Sequence, residues 1–244
     1  MNLDEIENGI KTALTERIKV RTCYLSSATG NIFEYGNKKY IITCKHVADY
    51  FFSQSNQRVL LRTNQKIPQN KLKYVASTDD SIDIAIIEIL EADEIKYCYS
   101  KDDFDIIDNF SDADLDNSNF FVLGYPEQLK YEKDNADYIL WMSYLTIKNE
   151  QNQSTDQFLY LDYPRFSEKN IINEKGIKTI LPNARGLSGA FIFRIDTFDG
   201  KLNKLWLPTM AKIVAVQSAW NKKDWLKGSN TKYLFELLKK VSAT

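Results

Sequence analysis

The sequence predicts an all-β protein, two packed antiparallel barrels or a sandwich, with a helix at each end. Three observations carry this. Short runs rich in β-branched and aromatic residues recur in two series, within 20–90 and within 119–219. Clusters of Asn, Gly, Ser, Asp and Lys separate the runs. Almost no helical periodicity falls between them, which argues against a wound α/β sheet.

The elements follow in order. Residues 3–19 place Ile6, Ile10, Ala13, Leu14 and Ile18 at helical spacing. Strands are expected at 20–27, 30–36, 38–44, 58–63, 71–77 and 83–90, with a hairpin turn in Glu34–Lys38. The acidic stretch 101–117 is a connection. A second series is expected at 119–124, 138–148, 157–162, 190–195, 205–208 and 211–219. Within it, 149–157 is an exposed loop and 164–180 a long connection. Tyr233, Leu234, Leu237, Leu238 and Val241 give the closing helix one apolar face.

Composition narrows the function. The 244 residues are 43% hydrophobic and 27% charged, which fits one large domain or two small ones and excludes wholesale disorder. With 32 basic and 33 acidic residues, the chain is not a generally cationic nucleic-acid binder. The balance hides a net charge of -12 over 77–117 and +7 over 201–240, read as two solvated faces of opposite sign. No apolar run spans a bilayer, and residues 1–20 lack a continuous apolar leader. Cys23, Cys44 and Cys98 are odd in number and widely spaced, as in a reduced, cytoplasmic chain. They have no C-x-x-C knuckle to join His46 around zinc, and Asp112–Asp116 lacks the glycine and glutamate of a calcium loop, so neither metal nor cofactor is expected. Trp141, Trp206, Trp220 and Trp225 scatter as core or barrel-closing residues.

One histidine and nine glycines make the chemical candidates few. Gly186-Leu187-Ser188-Gly189-Ala190 brackets a serine with two glycines. A serine nucleophile needs such a sharp turn, so that its Oγ projects and backbone amides converge on an oxyanion. The plainer role is an ordinary turn before a strand. His46 follows the apolar run Ile41-Ile42-Thr43, where a rigid strand end can hold an imidazole still; alone it would pass for a surface histidine. Asp83 opens the apolar run Ile84-Ala85-Ile86-Ile87. A carboxylate there needs a partner, unless it is simply solvated. Asp79 and Asp80 are neighbouring alternatives.

Together these three segments resemble the trypsin-like, chymotrypsin-fold serine peptidases, in a form without a zymogen. I-I-T-C-K-H-V-A resembles the family's histidine strand and D-I-A-I-I-E-I its aspartate strand; G-L-S-G-A resembles its nucleophile loop. F-V-L-G-Y-P and I-V-A-V-Q-S-A resemble strands of the second barrel. The resemblance covers roughly 20–242. It implies two six-stranded barrels, at 20–100 and 118–230, joined by 101–117 and flanked by helical segments at 1–19 and 231–244. It implies His46 as base, Asp83 as its orienting acid, Ser188 as nucleophile, and the Gly186 and Ser188 amides as oxyanion hole. An Nε2–Oγ separation within ~3.5 Å, or somewhat more in an unliganded site, is expected. Pro182 and Asn183 would form the base of the specificity pocket, with Gln217, Ser218 and Ala219 as its wall.

The departures matter. Leu187 stands where secreted members carry the acid that pairs with a new N-terminus after cleavage. Val47 replaces their cysteine and Ala190 their last glycine. No acid lies at the pocket base, so cleavage after Arg or Lys is not supported. The resemblance therefore implies a peptide or protein substrate, with restraint by a partner, by oligomerisation, or by a loop at 149–157 or 164–180. It allows, without showing, a bacterial antiphage module. A degenerate peptide-binding member and an esterase-type acyl hydrolase are the alternatives.

Overall fold

The computed structural model describes residues 3–61, 65–100, 115, 118–133, 136–163, 171–173, 181–195, 207–222 and 224–242. The first sheet holds β1 (Thr22–Leu25), β2 (Ala28–Tyr35), β3 (Lys38–Thr43), β4 (Arg58–Leu61), β5 (Lys66–Pro68), β6 (Leu72–Ser77) and β7 (Ala85–Ile89), in the order β5-β4-β1-β2-β3-β7-β6. The second holds β8 (Asn119–Gly124), β11 (Met142–Ile147), β12 (Phe158–Asp162), β13 (Ile171–Asn173), β14 (Phe191–Ile195), β15 (Lys212–Trp220) and β16 (Trp225–Asn230), in the order β12-β16-β15-β14-β8-β11-β13. Between β8 and β11 in sequence, β9 (Lys130–Lys133) and β10 (Ala136–Ile139) form a separate hairpin. This is the two-barrel, chymotrypsin-like architecture, with seven strands per sheet where six were expected.

The helices close it. On α1 (Leu3–Ile18), Ile10, Leu14 and Ile18 are buried. On α3 (Thr231–Ser242), Leu234, Phe235, Leu237 and Leu238 are buried. Between the two sheets, Tyr99 packs on Phe191 and Phe193 with ring centroids 5.3 and 6.0 Å apart. Such pairs are worth ~0.5–1.5 kcal/mol beyond their buried area.

The differences from expectation have local causes. α2 (Lys45–Ser53) follows β3 directly, too short for its periodicity to stand out beside a strand. The expected strand 20–27 breaks at Ser26 and Ser27, whose φ of 45° and 72° make a tight β1–β2 turn without the usual Asn-Gly. The turn within 34–38 lies at Gly36 and Asn37, with φ of 58° and 63°. The expected strand 138–148 is divided between β10 and β11. β16 lay unrecognised because Lys227 and Gly228 interrupt its apolar pattern. Of 205–208, Pro208 lies in a 3-10 turn (Pro208–Met210) and 205–206 fall outside the described residues, as do 164–170 and 174–180 of the long connection. The loop 149–157 is only partly exposed. Asn149 and Ser154 are 5% and 3% exposed, because Asn149 Nδ2 donates to Asp162 Oδ1 at 2.6 Å and Ser154 Oγ accepts the Tyr160 amide at 3.1 Å.

Candidate active site

Register alone brings the histidine and the acid together. β3 and β7 are antiparallel neighbours with Thr43 opposite Ala85. His46 lies just past the last residue of β3 and Asp83 just before the first of β7, which is the same end of the antiparallel pair. Cys44, in extended conformation, caps the start of α2, and its carbonyl accepts the Ala48 amide at 3.0 Å. That turn of helix swings the His46 ring back over β7. Its Nδ1 lies 2.7 Å from Asp83 Oδ2, and its backbone amide donates to Asp83 Oδ1 at 3.0 Å. A carboxylate only accepts, so Nδ1 carries the proton, the tautomer that in a neutral imidazole leaves Nε2 its lone pair. The imidazole is 54% exposed and the carboxylate 17%, so the ring reaches solvent while its anchor does not.

Asp83 itself sits at φ 62°, an uncommon conformation for a non-glycine residue. The surrounding turn imposes it. The Asp83 amide donates to Asp79 O at 3.1 Å, and the Ile84 amide to Thr78 Oγ1 at 2.8 Å. Ser229 on the second sheet also ties its hydroxyl to Ile82 O. The alternative acids are otherwise engaged. Asp79 caps its own turn, and hydrogen bonds from Ser81 and Ile82 hold its carboxyl below the usual range. Asp80 is 91% exposed and pairs with Lys45 at 2.6 Å.

Ser188 comes from the turn between 181 and β14. Its neighbour Gly189, at φ +92°, lies so close to β3 that a Cβ would stand 2.3 Å from Thr43 Oγ1 and 3.1 Å from Thr43 Cα. The turn that carries the serine is therefore packed, through Gly189, against the strand end that launches His46. Ser188 Oγ has no hydrogen-bond partner among the described residues, so the expected Nε2–Oγ bond is not made here; such contacts tighten when substrate binds.

The amides of this turn divide sharply. Those of Arg185, Leu187, Gly189 and Ala190 donate to Asn183 Oδ1 (3.2 Å), Ala184 O (3.0 Å), Gln217 O (2.8 Å) and Leu187 O (2.8 Å). Those of Gly186 and Ser188 have no partner among the described residues. A planar trans peptide points its C=O and the following N–H in opposite directions. The Glu127 amide holds Arg185 O at 2.9 Å and so fixes the Gly186 amide; the Leu187 O–Ala190 bond likewise fixes that of Ser188. Two oriented, unspent donors flank the serine.

Leu187, where the resemblance led one to look for an acid, is 0% exposed and packs in the second core with Ala184, Ala190 and Val122. At the expected pocket, Pro182 O accepts Tyr163 Oη at 2.8 Å, and the Asn183 amide donates to Gln128 Oε1 at 2.7 Å. Gln217 is buried, and its Nε2 folds back onto Ala219 O at 3.0 Å; Ser218 Oγ donates to Lys227 O at 3.3 Å. Gln217 thus meets the site through its carbonyl, which also accepts Cys44 Sγ at 3.0 Å.

Cys44 is a contributor that sequence reasoning passed over. Its sulfur, a His46 ring nitrogen and an Asp83 oxygen lie within 4.8 Å of one another. Burial, followed by the charge of Asp83, pushes its thiol well above the ordinary range, which disfavours the thiolate a metal would need. Cys98 Sγ instead faces Glu34 Oε2 at 3.2 Å. Thr29 and Asn31 were missed too; the signal was two polar residues at alternate positions of a strand whose other faces are apolar.

Several solved structures align with most of the chain. The structure titled for coupled folding and binding of the Sesbania mosaic virus VPg protein aligns with a TM-score of 0.50 at 11% identity, over 88% of this chain and 87% of that one. Rv3671c protease in an inactive form gives 0.49 at 11% identity, over 96% and 95%. Deg5 gives 0.49 at 12%, over 97% and 94%. At 11% identity and a TM-score of 0.50, the first likeness is one of fold alone. No protein-family model matches the chain, and no curated protein matches it.

Proposed function

We propose that the protein is a serine endopeptidase working through Ser188, His46 and Asp83. The observation that carries this is the pair of amides at Gly186 and Ser188, unspent among the described residues, on a turn packed against the strand end of the only histidine. In the reaction, Ser188 Oγ attacks the scissile carbonyl and passes its proton to His46 Nε2. Asp83 accepts Nδ1–H throughout and stabilises the imidazolium. The Gly186 and Ser188 amides take the carbonyl oxygen as it becomes negative, an effect worth ~3–4 kcal/mol per donor. His46 then returns the proton to the leaving amine, leaving an acyl-serine. Water, deprotonated by the same imidazole, cleaves that ester and restores the hydroxyl.

The substrates are proteins or peptides, and control comes from a partner, a second copy or a loop over the cleft. A serine-reactive fluorophosphonate probe tests the chemistry. Labelling of the wild type and none of Ser188→Ala supports it. No labelling of the folded wild type would leave a peptide-binding protein. Turnover of simple esters beside an uncut peptide library would make it an acyl hydrolase.

A further inference from the structure

The nucleophile turn is held from the opposite sheet, and one side chain there does more than pack. Thr29 on β2 is 0% exposed. Its Oγ1 accepts the Tyr125 amide at 2.9 Å and stands 2.8 Å from Gly186 O. A hydroxyl has one proton. Because Tyr125 already donates to it, that proton goes to Gly186 O. The Thr29 amide donates to Ser188 O at 3.0 Å, and Thr29 O accepts Thr43 Oγ1 at 2.8 Å. Two residues on, along the same face, Asn31 Nδ2 donates to Gly189 O at 2.6 Å. Three carbonyls of the turn, at Gly186, Ser188 and Gly189, are thus gripped from β2.

Gly186 most needs such a grip. At φ +95° and without a Cβ, it has no steric lock of its own. The strained Ser26–Ser27 turn brings β2 within range: a Cβ on Gly186 would lie 3.1 Å from Ser27 O. Non-glycine residues in that conformation persist where their surroundings over-determine them.

We propose that Thr29 is a positioning residue: its hydroxyl, bridging Tyr125 N and Gly186 O across the two sheets, pins the peptide that follows Gly186, so that, with Arg185 O held by the Glu127 amide on the other side, Gly186 keeps the backbone conformation that aims its amide at the developing oxyanion. This rests on Ser188 being the nucleophile. Thr29→Val keeps the shape and removes the bridge. With a fluorophosphonate probe, its maximal labelling rate should fall about tenfold, while the half-saturating probe concentration stays within about twofold, since the lost interaction acts in the transition state. Thr29→Ser should recover most of the rate. The low-field Nδ1 proton of the sole histidine should be unchanged in all variants. Should Thr29→Val fail to fold, Thr29→Ala set against Thr29→Ser reads the same quantity. A hydroxyl-free variant labelling at the wild-type rate overturns the assignment. So does a loss that serine does not recover, or one accompanied by disappearance of the His46 signal, since either marks a residue that only supports the fold. If the wild type is not labelled at all, the reading of Ser188 fails first.

Discussion

Asp83→Asn separates orientation from mere presence of a polar group. The backbone should tolerate it, because asparagine is among the residues that best accept the left-handed φ of 62° found there. The side chain then has one oxygen for two demands. The His46 backbone amide, now 3.0 Å from Oδ1, requires an acceptor, so the amide oxygen stays there. The NH2 group takes the place of Oδ2, 2.7 Å from Nδ1. Two donors cannot face each other, so Nδ1 must give up its proton and Nε2 must carry one. An Nε2–H imidazole cannot accept the serine proton. The expected loss in the rate of fluorophosphonate labelling is about 10⁴-fold, the scale of this change in Ser-His-Asp triads generally, or ~5.4 kcal/mol of activation free energy. With one histidine in the chain, nitrogen NMR reports the tautomer without assignment. Labelling within tenfold of wild type, or an unchanged Nδ1–H tautomer, would refute the reasoning.

Gly186→Ala and Gly189→Ala should each destabilise by ~3 kcal/mol or more, because a Cβ would meet Tyr125 O at 2.4 Å in one and Thr29 O at 2.1 Å in the other; thermal unfolding should show a fall of about 6–12 °C. Leu187→Asp puts an unpaired carboxylate into a site with no exposure and should cost ~3–5 kcal/mol, whereas Leu187→Met should cost under about 1.5 kcal/mol by denaturant titration. Burial leaves Cys44 protonated well above its ordinary range and, with Glu34 adding to it, pushes Cys98 up to about 11. Raised thiol values keep the neutral form at pH 8, so alkylation followed by mass spectrometry should find both slow in the native protein and fast once it is unfolded.

The sequence showed most of what depends on local pattern. The terminal helices, the histidine strand, the aspartate strand and the glycine-bracketed serine are all short-range signals, and the β3–β7 register does the rest by placing Thr43 opposite Ala85. Much of what escaped it depends on contacts between residues far apart in the chain. Thr29 and Gly186 are 157 positions apart, and nothing in A-T-G-N-I-F announces that its polar side chains face a carbonyl-rich turn on another sheet. Cys44 was weighed only as a zinc ligand, since its bond to Gln217 O joins residues 173 positions apart. β16 was lost to the rule that an interrupted apolar run is weak evidence for a strand, although Gly228 is needed there: a Cβ would fall 2.5 Å from Ile192 Cδ1 and 2.9 Å from Ala215 Cβ.

The nature of Leu187 bears on how the proposed peptidase would be restrained. An ion pair at this position can be made or broken at little cost to the rest of a domain, so an acid there permits a folded but unassembled turn. A leucine sharing the second core with Val122, Ala190 and Ile192 permits no such separation. Its side chain comes so near Gly124 that a Cβ on that glycine would stand 2.9 Å from Leu187 Cδ2, and withdrawing it would open a cavity at a cost of ~2–5 kcal/mol. On the far side the turn is gripped by Thr29 and Asn31. Disassembling the oxyanion site would therefore mean loosening both the second core and the junction of the sheets. Control that blocks the cleft or withholds substrate faces no such penalty. We accordingly expect restraint to act on access to His46 and Ser188, and a fluorophosphonate small enough to enter a covered cleft should label the uncomplexed protein without any proteolytic processing.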